Sequence, residues 1–232
     1  MVLKKELKIL ILGILAGLSI GFGSAAYTAC VYYGSSILGS ILFSCGLLLV
    51  CIFGFKLYTG QIGKIFENKP LFVLDLFVMF VGNFIGAAGA GLLASLIVPN
   101  SDYQTIINNT SESKLCLIND IGSEWFKILI GGIFCGMLVY FGVEVFKKAE
   151  HGVTKVIGLI LCVAVFVVCG FPHCIANMYY LGNSLYLFKY PLESFLSILI
   201  CTIGNSIGAI FIRLCGCLVN ILTKKVEKIE TK

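Results

Sequence analysis

Gly170-Phe171-Pro172-His173-Cys174-Ile175-Ala176-Asn177-Met178-Tyr179-Tyr180 lies inside an apolar run from Val156 to Phe188 that is long enough to cross a bilayer. A glycine, a helix-breaking proline and one of only two histidines sit in its middle. Hydrocarbon offers no partner to a freed backbone group, so a break at membrane depth needs surrounding protein or a water-filled cavity. An ionisable side chain at that depth is a functional candidate. Pro172 has no N–H and suits a first helical turn, so a new helix is expected to begin near His173 with its positive end at the midplane. The competing reading is a proline kink packed between helices, with His173 bonded to a carbonyl. The stretch alone leaves both open.

The rest of the chain belongs to the same medium. Of 232 residues, 59% are hydrophobic and only 12% charged, with a mean hydropathy of +1.00. That balance marks an all-α integral membrane protein and excludes a soluble enzyme domain. At about 20 apolar residues per crossing, the runs predict six transmembrane helices in one domain, 1–232. Span 1 covers 9–29, span 2 36–55, span 3 71–98, span 4 125–146 and span 6 192–222, and the opening stretch is span 5. Residues 99–124 are read as the longest polar loop. The net charge of +5 sits in short loops and tails, so it reports topology and not a nucleic-acid partner. The N-terminus, the 2–3 loop, the 4–5 loop and the C-terminus hold three, two, three and four lysines, against none, one and one in the other loops. Both termini are therefore placed in the cytoplasm of a multi-pass inner (plasma) membrane protein.

Span 2 also changes character, at Gly54-Phe55-Lys56-Leu57-Tyr58-Thr59-Gly60-Gln61. The strings GNFIGA at 82–87 and GNSIGA at 204–209 recur in spans 3 and 6, and Gly17/Gly21 match Gly132/Gly136. Pairing Thr59 with His173 keeps the same order, so two inverted three-helix repeats are read, about 1–100 and 125–232, with helices 2 and 5 interrupted. Matching broken helices in inverted repeats point to a transport path at the repeat interface. The glycine spacings also predict close helix crossings. The 11 cysteines include no C-x-x-C pair, and Cys215-Gly-Cys217 lacks company for a metal, so no cofactor or metal is expected. Only Cys30 and Cys116 are placed to meet on the outer face. A membrane-embedded thiol oxidoreductase is the alternative function, and it would need paired, accessible low-pKa thiols.

Gly170-Phe171-Pro172-His173-Cys174-Ile175-Ala176-Asn177-Met178 resembles the span-5 signature Gly-Phe-Glu-His-Ser-Ile-Ala-Asn-Met of the formate/nitrite transporter family. Leu57-Tyr58-Thr59-Gly60-Gln61 resembles its Leu-Phe-Thr-Gly-Asn loop, and the Gly-Asn-x-x-Gly-Ala string of span 6 also fits. The resemblance covers essentially the whole chain. It implies an aquaporin-like fold, a homopentamer with a pore in each protomer, and passage of small monovalent anions such as formate, nitrite or hydrosulfide, with possible proton coupling through the histidine. Carried over by motif, His173 is the central pore histidine and Thr59 faces it. Leu57 stands at the cytoplasmic constriction, Phe43 and Phe166 at the outer one, and Tyr58 and Asn177 come with the motifs. Three departures stand out. Pro172 replaces the family's glutamate, its span-4 asparagine falls at Gly136, and its vestibule lysine has no clear counterpart, Lys114 lying too far upstream and Lys127 too far downstream. Lys56 is the candidate compensating charge.

Overall fold

A computed structural model describes residues 2–115 and 124–230, and Cys116, the one cysteine that could reach Cys30 on the outer face, lies outside them. Among the described residues the regular elements are all helical: α1 (Val2–Tyr32), α2 (Ser36–Phe53), a 3-10 turn (Ile62–Glu67), α3 (Phe72–Ser95), α4 (Ser101–Glu112), α5 (Glu124–Lys148), α6 (Gly152–Val168), α7 (Cys174–Asn183), the short α8 (Tyr186–Lys189) and α9 (Pro191–Glu230). Five of these, α1, α2, α3, α5 and α9, are long and apolar enough to cross a membrane. The remaining predicted span, span 5, is instead two pieces, the 17-residue α6 and the 10-residue α7.

The breaks have a local cause. α2 ends where Gly54 takes a left-handed conformation (φ 67°), and α6 is followed by Gly170 in the same region (φ 70°). In both, the next amide reaches back five residues, Phe55 N–H to Val50 O (3.0 Å) and Phe171 N–H to Phe166 O (2.9 Å). This is the Schellman closure that glycine permits and a Cβ disfavours. The chain then runs as non-helical backbone into the Leu57–Gly60 turn that carries Thr59 on one side, and to His173 in extended conformation on the other.

Helix contacts are made through glycine, as expected where lipid gives no hydrophobic drive and close packing must hold helices together. A methyl on Gly82 would sit 3.0 Å from Gly13 Cα, and one on Gly204 3.1 Å from Gly132 Cα. These two seams join α1 to α3 and α5 to α9. A methyl on Gly136 would overlap the Asn205 carbonyl oxygen, which explains why no asparagine stands there. Gly136→Asn is accordingly expected to cost about 3 kcal/mol through overpacking. Thermal melting in detergent checks it, and an unchanged midpoint would show that α5 and α9 separate freely.

The segment read as a polar loop contains α4. Asn100 caps it by accepting Tyr103 N–H (2.9 Å), and Ile107 and Ser111 face inward, Ser111 donating to Tyr180 O (2.9 Å). Glu112 then accepts the Tyr186 hydroxyl at 2.9 Å. α4 thus folds back over one end of the bundle. The sequence reading missed it because only two of its side chains are fully buried and its mean polarity is that of a loop.

At the opposite end, the 3-10 turn after the first break is held by Lys64–Glu144 (3.6 Å) and by Glu67, which pairs with Arg213. The Arg213 guanidinium holds the Glu67 carboxyl below the ordinary glutamate value, against a smaller opposing effect of burial. A carboxyl depressed in the folded state stabilises the fold above its unfolded pKa, and that contribution fades as pH falls through the folded value. Glu67→Gln should therefore lower the hydrogen-exchange protection of residues 62–67 at neutral pH, whereas protection in the wild type, corrected for the intrinsic rate, falls to that level only in acid. Equal exchange at neutral pH would show that the pair does not hold the turn.

Candidate functional site

The second break builds the site. Pro172 contributes no N–H, and its carbonyl accepts from Asn205 Nδ2 (3.0 Å) and from the Cys201 thiol (3.3 Å). Cys174 N–H, the first of α7, goes to Asn205 Oδ1 at 2.9 Å. Between them, His173 is the N-cap of α7: its Nδ1 accepts Ala176 N–H at 3.2 Å. That bond decides the tautomer. A ring nitrogen that accepts an amide proton carries none, so the neutral imidazole holds its proton on Nε2. Nε2 lies 3.0 Å from Thr59 Oγ1, so the histidine donates and the threonine accepts. The threonine's own proton is left to serve another acceptor.

Both residues are removed from bulk water, Thr59 at 0% and His173 at 3% exposure. The Phe166 ring stacks on the imidazole with centroids 5.9 Å apart, and Phe43 meets Phe166 edge-on at 5.8 Å. Leu57, on the far side of Thr59 along the chain, is buried. A cavity of about 350 Å³ opens above this layer, lined among others by Phe43, Phe166, His173, Asn177, Tyr180 and Lys114. Asn177, one helical turn after His173, is 1% exposed, and neither Oδ1 nor Nδ2 meets a protein partner among the described residues. Its amide is an unspent donor and acceptor at the cavity wall.

Lys114 corrects the sequence reading. It stands just past α4, and because α4 folds back over the bundle, the side chain lines the cavity that contains His173. Chain distance had argued against it, and the helix supplies the missing geometry. Burial pushes its ammonium below the usual lysine value.

Four of the predicted site residues do not line this cavity: Thr59 meets it only through His173, Leu57 is buried away from it, and Tyr58 and Lys56 are engaged elsewhere. The Tyr58 hydroxyl lies 3.0 Å from Ser206 Oγ and its ring packs edge-on against Phe80 at 5.3 Å. It lines a separate apolar groove between α3 and α9. Lys56 is engaged through its backbone, its N–H donating to Leu12 O (3.1 Å) and its carbonyl accepting from Asn83 (2.8 Å). Sequence reasoning had used Asn83 and Asn205 only as repeat markers and had passed over Asn109, Thr110 and Ser113, which join the cavity wall from α4 and the residue that follows it. The capping signal at Asn100 and the i, i+4 pair Ile107–Ser111 were the available clues. Among the described residues no group of three or more His, Cys, Asp or Glu is arranged to hold a metal.

Comparison with known proteins agrees with this geometry. The formate/nitrite transporter family matches residues 2–219. The formate channel FocA of Haemophilus influenzae is 26% identical over 62% of this chain, a match that spans only 52% of that protein. The uncharacterised transporter YrhG of Bacillus subtilis is 27% identical over 78% of this chain and 70% of its own. A solved pentameric formate channel with formate bound superposes with a TM-score of 0.76 at 27% identity, covering 94% of this chain and 98% of its own. Relatives of this kind are transporters, which sets aside the thiol oxidoreductase reading. A match of this extent, on a fold that brings the motif histidine and threonine into hydrogen-bonding contact, shows that the chain belongs to the formate/nitrite transporter family.

Proposed function

We propose that the protein conducts small monovalent anions across the membrane, formate first among them, through a path in each protomer of a homopentamer. The observation that carries this reading is the buried Thr59–His173 pair at the floor of a cavity walled by one lysine and one unpartnered amide. Six crossings in two inverted three-helix repeats, with both termini in the cytoplasm, complete the reading. Its support is the shared geometry of the two breaks and the lysine count of the loops and tails.

The steps follow from the chemistry of the side chains. Lys114 raises the local concentration of anions in the cavity. The Asn177 amide replaces water of hydration as the anion leaves it. Past Phe43 and Phe166, the N-terminus of α7 and the Thr59 hydroxyl face the anion with positive ends of dipoles. His173 acts as a neutral donor. Protonating Nδ1 would set its proton against Ala176 N–H and uncap α7, so proton coupling, where present, comes from a route other than titration of this ring. Leu57 closes the path toward the cytoplasm.

Flux into proteoliposomes tests the function. Formate, nitrite and hydrosulfide should enter well above protein-free liposomes, acetate more slowly, and larger carboxylates not at all. No flux of any of these above the blank would refute the proposal.

A further inference from the structure

We propose that Asn83 and Asn205 are positioning residues of the path, each aiming the pore groups of one break through a three-bond clamp. This rests on the reading of Thr59 and His173 as pore groups. Both asparagines are wholly buried, at 0% exposure. Asn205 accepts Cys174 N–H at 2.9 Å and donates to Pro172 O (3.0 Å) and to Gly132 O on α5 (2.9 Å). Asn83 accepts Tyr58 N–H at 2.8 Å and donates to Lys56 O and to Gly13 O on α1, both at 2.8 Å. An N–H on one side and two carbonyls on the other admit only one placement of oxygen and nitrogen in each amide.

The clamps do more than fill vacancies in the bonding. Each ties two backbone groups two residues apart in the break, and a third on the neighbouring helix. The residue between the tied groups is thereby triangulated: His173 in one break and Leu57 in the other. Thr59 follows the clamped Tyr58 directly. A break that has left its helix has lost the ladder that would orient it, and lipid offers no water in exchange. The asparagine amide supplies one acceptor and two donors at once. Aspartate lacks the donors and would face two carbonyls, and an apolar residue would strand three buried polar groups. The two clamps recur 116 residues apart at the tied groups, so His173 corresponds in geometry to Leu57 and not to Thr59. The two pore groups thus sit on opposite sides of their clamped N–H groups, and that offset lets them meet.

The test uses full-length protein with 15N-labelled histidine in liposomes, with exposed His151 as internal reference for buried His173. In the wild type, His173 should show an unprotonated Nδ1 and a protonated Nε2 throughout the neutral pH range. Asn205→Asp in its ionised form should shift both nitrogen signals and lower formate flux about tenfold, the scale of one stranded buried hydrogen bond. Lowering the pH to protonate the new carboxyl restores one donor. Signals and flux, each relative to wild type at the same pH, should then return part of the way. Asn83→Asp should move the Nε2 signal, which reports Thr59, and leave Nδ1 in place. Unchanged His173 signals in Asn205→Asp would overturn the positioning role. Shifted signals with wild-type flux would uphold it and overturn the pore reading instead. Should Asn205→Asp fail to assemble, Asn205→Ser keeps a single hydroxyl in a smaller volume. It should shift the same two signals, and unchanged signals there would overturn the role equally.

Discussion

His173→Asn is expected to keep the fold and lose most of the formate flux. Asparagine is a favoured N-cap, so its Oδ1 can take over the Ala176 N–H that Nδ1 now accepts. It is too short to reach Thr59, and the Nε2 donor at 3.0 Å disappears. Losing one donor in a desolvated site is worth about 1–3 kcal/mol, which corresponds to a reduction of roughly ten- to a hundredfold. Because the ring is held neutral by its cap, the residual flux should retain the pH dependence of the wild type. His173→Ala should in addition lose about 1 kcal/mol of helix capping and melt lower. Stopped-flow uptake at several pH values, with melting curves for both variants, checks each part. A His173→Asn protein whose flux has become indifferent to pH would show that the imidazole titrates during transport, and the neutral-donor mechanism would be wrong.

The double substitution Phe43→Ala/Phe166→Ala is expected to move the size cutoff. The two rings are in edge-on contact at 5.8 Å with both residues almost fully buried, so any anion taking this route must displace a ring, and a larger one must displace it further. Removing both should bring lactate-sized carboxylates to within about tenfold of formate, since a hydrophobic constriction discriminates on this scale by size alone. Truncating a buried Phe costs about 3–5 kcal/mol in a closed core. Here the cavity already borders both rings, which should hold the loss toward the lower end. Phe166 also stacks on His173, so Phe43→Ala alone separates the effect on size from any loosening of the imidazole. Competitive uptake of formate against lactate measures the outcome. A double variant that still excludes lactate would place the selective constriction elsewhere.

Much of this molecule is legible in its chain because the forces that shape it are local. Hydropathy is a property of each segment, so the membrane and most of the spans can be read directly. Glycine and proline favour helix ends wherever they stand, so Gly54, Gly170 and Pro172 mark in the sequence where α2 and α6 stop. Glycines at helical spacing carry the α1–α3 and α5–α9 seams, because close approach needs only the absence of a side chain. That Thr59 faces His173 is what the family resemblance of the two loops implies, although the clamped backbone groups repeat at 116 residues and these two stand 114 apart.

Other features depend on where distant segments come to rest, and no local signal encodes that. Lys114 reaches the cavity of His173 only because α4 folds back and Ser111 bonds to Tyr180 O. Gly136 stands where an asparagine was looked for, because the α5–α9 crossing leaves no room beside the Asn205 carbonyl. Tyr58, adjacent to Thr59 in sequence, turns its ring toward Phe80 and Ser206, because the two residues lie in the tight turn closed by Gly60 N–H on Leu57 O, which sends their side chains apart. The tautomer of His173 follows from a single amide, Ala176 N–H, placed by the first turn of α7. Two buried asparagines from other helices hold that turn and its counterpart, through bonds that span 25 and 31 residues of chain. Composition decides the solvent in which this chain folds, and long-range hydrogen bonds decide which of its polar groups meet there.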